Sequence, residues 1–203
     1  MRAMARRRST RVAQLVAAAG LGVALAGCSA ILPTPAVDTF DLGAPEVGAA
    51  PHGRSLQVLV PEPTADRALD TDRIVVRPGA TEIAYFSGAQ WADRLPRLVQ
   101  SRLVASLEAS GRFRAAGRPG QGLAIDRQIV TEIRAFHYDA SAGRVEIVLS
   151  AKLMDDRSGR VVAARVFHAE EASADTPKAA VAAFDRAQHR LFAEIVAWAG
   201  RGG

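Results

Sequence analysis

The chain has one cysteine among its 203 residues, Cys28, and only 5% of its residues are aromatic. A single thiol cannot form a disulfide within the chain, so no disulfide framework supports the fold. The longest uncharged, mostly apolar run covers residues 12–27. A helix that spans a bilayer needs about 20 apolar residues, and this run is shorter and rich in alanine and glycine. The composition therefore argues against a disulfide-rich scaffold and against a transmembrane anchor.

A charge imbalance is also missing from most of the chain. The full sequence has 26 Lys and Arg against 21 Asp and Glu. Five of the arginines lie within residues 1–11, which contain no acid, so the rest of the chain has 21 residues of each sign. A nucleic-acid-binding domain would carry a basic face. We therefore expect no nucleic-acid partner.

Motifs for catalysis and metal binding are missing as well. No G-x-S-x-G motif occurs, and the histidines do not pair with another His, Cys or Glu at the spacing of helical metal ligands. His137 and His168 could be neighbours across two strands. The favoured interpretation is that both lie at solvated strand ends. The carboxylate pairs Asp155–Asp156 and Glu170–Glu171 fit a solvated turn and a strand end. We expect no catalytic residue, no cofactor, no metal ion and no enzymatic activity.

The only cysteine ends the apolar run. A basic head followed by a short apolar segment is typical of an export signal, which we assign to residues 1–27. Ala24-Leu25-Ala26 would suit an ordinary signal peptidase, whereas Leu25-Ala26-Gly27-Cys28 resembles a bacterial lipobox. That resemblance implies cleavage before Cys28, a diacylglycerol on its thiol and an acyl chain such as palmitate on the new N-terminus. Two or three acyl chains hold a protein on a bilayer almost permanently. By resemblance to the sorting rule of Gram-negative lipoproteins, Ser29 favours the outer membrane.

Residues 28–54 follow as a tether rich in Pro, Ala and Gly. Fully extended, a tether of this length would reach about 80 Å. A candidate edge strand lies within it at residues 39–42. The remaining residues, 55–203, are enough for one domain with its own core.

Alternating side chains and turn residues predict the strands of this domain, and apolar stripes predict its helices. Strands are expected at residues 55–60, 72–77, 82–86, 113–116, 123–139, 144–154 and 161–171. Helices are expected at residues 93–108 and 177–199. Two tryptophans begin or end the apolar stripes, Trp91 and Trp198. They fit core or rim packing better than stacking on a ligand. The predicted fold class is α+β, with a single largely antiparallel β-sheet and two amphipathic helices packed on one face.

The order of several short segments resembles a known family. These segments are Leu69–Arg77, Ile83–Tyr85, Trp91–Asp93 and Gly111–Phe113, preceded by Phe40–Gly43 behind the lipobox. Together with the late strands and the final helix, they resemble the ABC-type transport auxiliary lipoproteins, the paraquat-inducible protein C (PqiC) family. The resemblance covers most of the chain that follows the export signal. Its motifs are spaced apolar positions, so Cys28 is the only functional position that it supplies.

The resemblance implies a non-catalytic lipoprotein at the outer membrane, facing the periplasm. Its expected partner is a mammalian-cell-entry (MCE) domain protein of an inner-membrane transport complex. Such complexes move phospholipids or other hydrophobic molecules, and phospholipid is a further candidate ligand. The contact residues stay unknown at this point. Two alternatives stay open: a stand-alone envelope lipoprotein that binds a small apolar ligand between sheet and helices, and, third, an anchored hydrolase.

Overall fold

The computed structural model describes residues 36–44 and 56–202. Within these ranges the chain forms nine strands and two helices. The strands are β1 (Asp38–Phe40), β2 (Gln57–Leu59), β3 (Thr64–Ala65), β4 (Arg73–Arg77), β5 (Ala84–Trp91), β6 (Ala115–Gly117), β7 (Arg127–Asp139), β8 (Arg144–Asp155) and β9 (Val161–Ala172). The helices are α1 (Leu95–Ala109) and α2 (Pro177–Arg201).

The sheet is organised around the long strand β7. One edge of β7 pairs along its whole length with β8, and β8 pairs in turn with β9, both antiparallel. The other edge of β7 carries β2, β3 and β4 one after another, all parallel to it. Beyond these strands, β6 pairs with β2, while β5 and then β1 extend the sheet from β4.

The α+β class is confirmed, but the expectation of a largely antiparallel sheet is wrong, because the sheet is mixed. Antiparallel strands follow from short turns, which hold for the β4–β5 hairpin and for β7, β8 and β9. Parallel strands need a long crossover connection. The segment between β5 and β7 contains α1 and supplies that crossover, so β2, β3 and β4 run in the same direction as β7.

Strand β5 is longer than predicted because it continues through a glycine. Gly88 has a φ of +66°, a left-handed conformation that glycine adopts without strain. The pairing of β4 with β5 shifts register here, between Arg73↔Gln90 and Val75↔Tyr85. The glycine therefore forms part of a bulge, and the strand ends only at Trp91.

The helices and the inward face of the sheet share one hydrophobic core. Helix α2 packs across β8 and β9, α1 lies beside β6, and the two helices contact each other. At the centre, Trp91 meets the rings of Phe136 and Phe184 edge to face, at centroid distances of 5.9 and 5.6 Å. Trp198 makes a similar contact with Phe167. Core packing is thus confirmed for Trp91, although it belongs to a strand and not to a helix.

Local signals start the helices as expected. Pro96 lies in the first turn of α1, where its missing N–H is not needed. Thr176 caps α2, since its hydroxyl accepts a hydrogen bond from the Ala179 amide.

The candidate edge strand at residues 39–42 corresponds to β1, which ends earlier, at Phe40, and the residues after it are tied to the core. Leu42 is only 1% exposed. The Gly43 amide donates a 2.6 Å hydrogen bond to the Asp185 carboxylate on α2. A Cβ at position 43 would lie 2.8 Å from that carboxylate oxygen, so any other residue there would displace the Asp185 side chain. The Phe40–Gly43 segment therefore has a structural role in the domain.

Candidate functional site

Large apolar side chains with high exposure concentrate on strand β9. Among the described residues, five such side chains are about half exposed, and three of them are Val161, Val162 and Val166. The side chain of Phe167, by contrast, points into the core and is 1% exposed. One face of β9 is therefore covered by α2, while valines at the start of the strand and on its other face are exposed to solvent.

β9 is also an outer strand of the sheet. In residues 36–44 and 56–202, it pairs with β8 alone. Its second edge thus presents backbone N–H and C=O groups that can pair with another strand. We call this backbone edge, together with Val161, Val162 and Val166, the β9 edge.

The β9 edge lies on the far side of the sheet from the N-terminal strand. The strand order across the sheet is β1, β5, β4, β7, β8 and β9. Adjacent strands are about 4.8 Å apart, so roughly 24 Å separate β1 from β9. The chain thus enters the domain at one side of the sheet, and the β9 edge is at the other.

A group of ionisable side chains lies on the sheet face that α2 leaves open. We call it the His–Glu cluster; its members are His137 on β7, Glu146 on β8, and His168 and Glu170 on β9. The two oxygens of Glu146 face different histidines, at 3.3 Å from His137 Nε2 and 3.2 Å from His168 Nε2. His168 Nε2 is also 3.4 Å from Glu170 Oε1, which in turn is 3.4 Å from the Arg144 guanidinium.

The two histidines of the cluster differ in their surroundings. The His168 side chain is half exposed, as expected for a solvated position. The expectation of a solvated strand end is wrong for His137, which is 7% exposed. Burial lowers the pKa of the His137 imidazole, Glu146 opposes that change, and Arg77 adds to it. Burial therefore favours the neutral form of the His137 imidazole, whose Nε2 lies in contact with Glu146.

The remaining carboxylates serve turns and surface ion pairs. Asp155 accepts hydrogen bonds from the Ser158 amide and hydroxyl in the β8–β9 turn, and these bonds, with Arg127, hold its pKa below the usual range. Glu171 pairs with Arg190 and Arg186 on α2, which lowers its pKa. Both fit the predicted roles in a turn and at a strand end.

A small cleft adjoins the cluster on the open side of the sheet. It has a volume of about 280 Å³, and its apolar wall contains Leu69, Val75 and Ile83. Arg77 and the two cluster residues His137 and Glu146 contribute its polar wall.

The alternative function inferred from the sequence places a ligand site between the sheet and the helices. Side chains that face that space, such as Leu149 and Phe184, are fully buried in the core, so the cleft lies elsewhere.

The predicted lipidation site, Cys28, lies outside the described residues, and so does His52. Within the described part of the chain, neither helix is long and apolar enough to cross a membrane.

Comparisons with known proteins identify relatives of this chain in sequence and in structure. An uncharacterized protein of Bradyrhizobium diazoefficiens, bll6063, is 37% identical over 163 residues, which are 79% of this chain. The match covers 44% of that relative, so the chain spans less than half of its length. The crystal structure of XCC0632 from Xanthomonas campestris superimposes with a TM-score of 0.73 at 29% identity, covering 81% of this chain and 96% of that one.

A second crystal structure, of an uncharacterized protein, shares the fold. Its TM-score is 0.63 at 18% identity, and the match covers 82% of this chain and 97% of that one. Residues 40–196 match the family described as "ABC-type transport auxiliary lipoprotein component". The matched range begins in β1 and ends in α2, and so includes nearly every element of the described fold. This chain therefore belongs to the ABC-type transport auxiliary lipoprotein family of the cell envelope, whose members are accessory components of transport systems.

Proposed function

We propose that the protein is an outer-membrane lipoprotein that docks a periplasmic MCE-domain protein of an ABC-type system for intermembrane transport of phospholipids or related hydrophobic molecules. The family match supports the accessory role. The lipobox resemblance at Cys28 supports the anchor, and Ser29 supports the outer membrane as its location. In this proposal the domain binds a partner and performs no chemistry.

The β9 edge is the observation that carries the docking proposal. A strand with one unpaired edge can accept an extended segment of a partner, with backbone hydrogen bonds supplying affinity. The three half-exposed valines add apolar contact area at the same place. Because β1 enters from the opposite side of the sheet, an anchor attached before β1 leaves the β9 edge accessible to a periplasmic partner.

The position of β1 also limits the distance between domain and membrane. Because β1 and Leu42 belong to the folded domain, the segment between Cys28 and β1 is residues 29–37. Such a segment spans about 30 Å when fully extended. This reach is less than half of that expected for a tether that ends at residue 54. In this proposal the partner must therefore extend to within a few nanometres of the outer membrane.

Binding of the purified mature chain to the periplasmic parts of the MCE proteins from the same cell tests the proposal. We expect Val166→Lys to weaken binding at least tenfold, because it places a charge on the β9 edge. Ile83→Lys is the matched control, since Ile83 is as exposed as Val166 but lies at the cleft. Salt should weaken binding little, because the mature chain has no net charge. No association at tens of micromolar with any of these proteins would refute the docking proposal.

The same pair of variants separates docking from the binding of a small apolar ligand. The apolar wall formed by Leu69, Val75 and Ile83 favours this second function. Under it, a fluorescent fatty acid would bind the wild-type chain and the Val166→Lys variant equally, and Ile83→Lys would abolish that binding. The docking function predicts that Val166→Lys weakens binding to the MCE protein and that Ile83→Lys leaves this binding unchanged.

A further inference from the structure

The His–Glu cluster has donor atoms at spacings that suit a metal ion. His168 Nε2 is 3.2 Å from Glu146 Oε1 and 3.4 Å from Glu170 Oε1. Zinc binds nitrogen and carboxylate oxygen at about 2.0–2.2 Å in tetrahedral geometry. The edges of such a tetrahedron are about 3.3–3.5 Å, since the geometry fixes them at roughly 1.6 bond lengths. The two measured distances match those edges.

The three donor atoms also lie close to one another. One suitable atom each from Glu146, His168 and Glu170 lies within 4.8 Å of the other two. In the sheet, Glu146 and Glu170 are directly paired across β8 and β9, and His168 lies two residues before Glu170 on the same face. Backbone pairing thus fixes all three side chains on one surface.

His137 holds Glu146 in position from the other side. Its Nε2 is 3.3 Å from Glu146 Oε2, the oxygen that does not face His168. The His137 side chain is 9% exposed and therefore fixed by its surroundings. A metal ligand whose second oxygen is in contact with a buried imidazole is oriented before the ion arrives.

We propose that Glu146, His168 and Glu170 form a binding site for a divalent transition-metal ion such as zinc, with a fourth position open to water. One imidazole nitrogen and two carboxylate oxygens suit zinc and its first-row neighbours. The ion would neutralise the two carboxylates and lie between the His168 imidazole and the oxygens of Glu146 and Glu170. Arg144 competes with the ion, since its guanidinium is 3.4 Å from Glu170 Oε1.

Zinc titration of the chelator-treated mature chain by calorimetry tests the site, and cobalt absorption reports its geometry. We expect one equivalent to bind, a tetrahedral cobalt spectrum and a higher melting temperature with zinc. His168→Asn should weaken binding at least 100-fold, and His137→Gln about 10–100-fold. Arg144→Ala should tighten it by up to about fivefold, the strength of a surface ion pair.

Glu132→Gln is the matched control, because Glu132 is an exposed carboxylate of β7 that pairs with Arg134 outside the cluster. It should leave zinc affinity unchanged. If His168→Asn does not fold, as judged by circular dichroism, Glu170→Gln at the partly exposed Glu170 replaces it. Equal zinc affinity of the wild-type chain and the folded ligand variant would overturn the proposal, as would the absence of any stoichiometric binding.

Discussion

Leu42 offers a direct test of whether the segment around β1 belongs to the folded domain. The sequence assigns this residue to a candidate edge strand, residues 39–42, within a tether rich in Pro, Ala and Gly; in an unpacked tether a leucine would contribute nothing to stability. The structure buries its side chain to 1% exposure beside a hydrogen bond from Gly43 to Asp185. The two views predict different effects of Leu42→Ala on the free energy of unfolding.

The expected loss follows from the buried volume. Replacing a fully buried leucine by alanine removes apolar contacts and leaves a cavity, at a cost of about 2–5 kcal/mol. In a domain of this size, a loss of about 1 kcal/mol lowers the melting temperature by about 2–4 °C, so a cost of about 3 kcal/mol lowers it by about 6–12 °C. Val37→Ala is the control, because Val37 is about half exposed; it should change stability by less than about 0.5 kcal/mol.

Urea unfolding followed by tryptophan fluorescence measures both variants. Trp91 is 2% exposed and packs against Phe184, so its emission reports directly on loss of the core. A loss for Leu42→Ala no larger than that for Val37→Ala would show that the segment does not pack as described. In that case the domain would begin near residue 55, and the distance argument from the 29–37 segment would fail with it.

Two further predictions concern the anchor and the acid stability. Cys28→Ala should leave a folded domain without acyl groups that is lost from the outer-membrane fraction, and an unchanged mass and membrane fraction would contradict the lipobox interpretation. Because the pKa of Asp155 is lowered in the folded state, its contribution to stability is present above its unfolded pKa of about 3.9 and is lost as the pH falls through the folded value. Asp155→Asn should therefore lower the melting temperature at pH 7 and reduce its further drop between pH 5 and pH 2; equal pH dependence of variant and wild type would contradict this.

Elements with strong local signals could be predicted from the sequence. The turns that connect β7, β8 and β9 contain Gly143 and Gly159, both with positive φ, and β8 between them alternates along nearly its whole length. Helix α2 begins at a threonine cap followed by Pro177. Such features act over a few residues, so they can be recognised without knowledge of the tertiary structure.

The parallel half of the sheet could not be predicted in the same way. The alternation of residues 55–60 predicts β2 as a strand but not its direction, and β3 has two residues, which is too short to show a period. Their direction depends on pairing with β7, which follows only after two further strands, helix α1 and β6. Likewise, Gly88 resembles a strand end in the sequence, and only its partner strand β4 shows that it forms a bulge.

The His–Glu cluster depends on one irregularity in β7. Ile129 and Ile133 face the core, and strict alternation would place His137 on that same face. Between Ile133 and Ala135, however, the pairing with β8 shifts by one residue. A shift of one residue exchanges the two faces of a strand. Beyond the shift, His137 therefore pairs with Glu146 on the open face.

The same shift determines the core of the domain. It turns Phe136 inward, where its ring stacks on Phe184 at a centroid distance of 4.6 Å and meets Trp91 edge to face. With strict alternation, the phenylalanine would face solvent and the histidine would be buried between sheet and helix. Since burial of an aromatic ring is strongly favourable, this core packing stabilises the bulge. The bulge is therefore expected in any relative that retains this aromatic packing, whereas a metal site requires the cluster side chains as well.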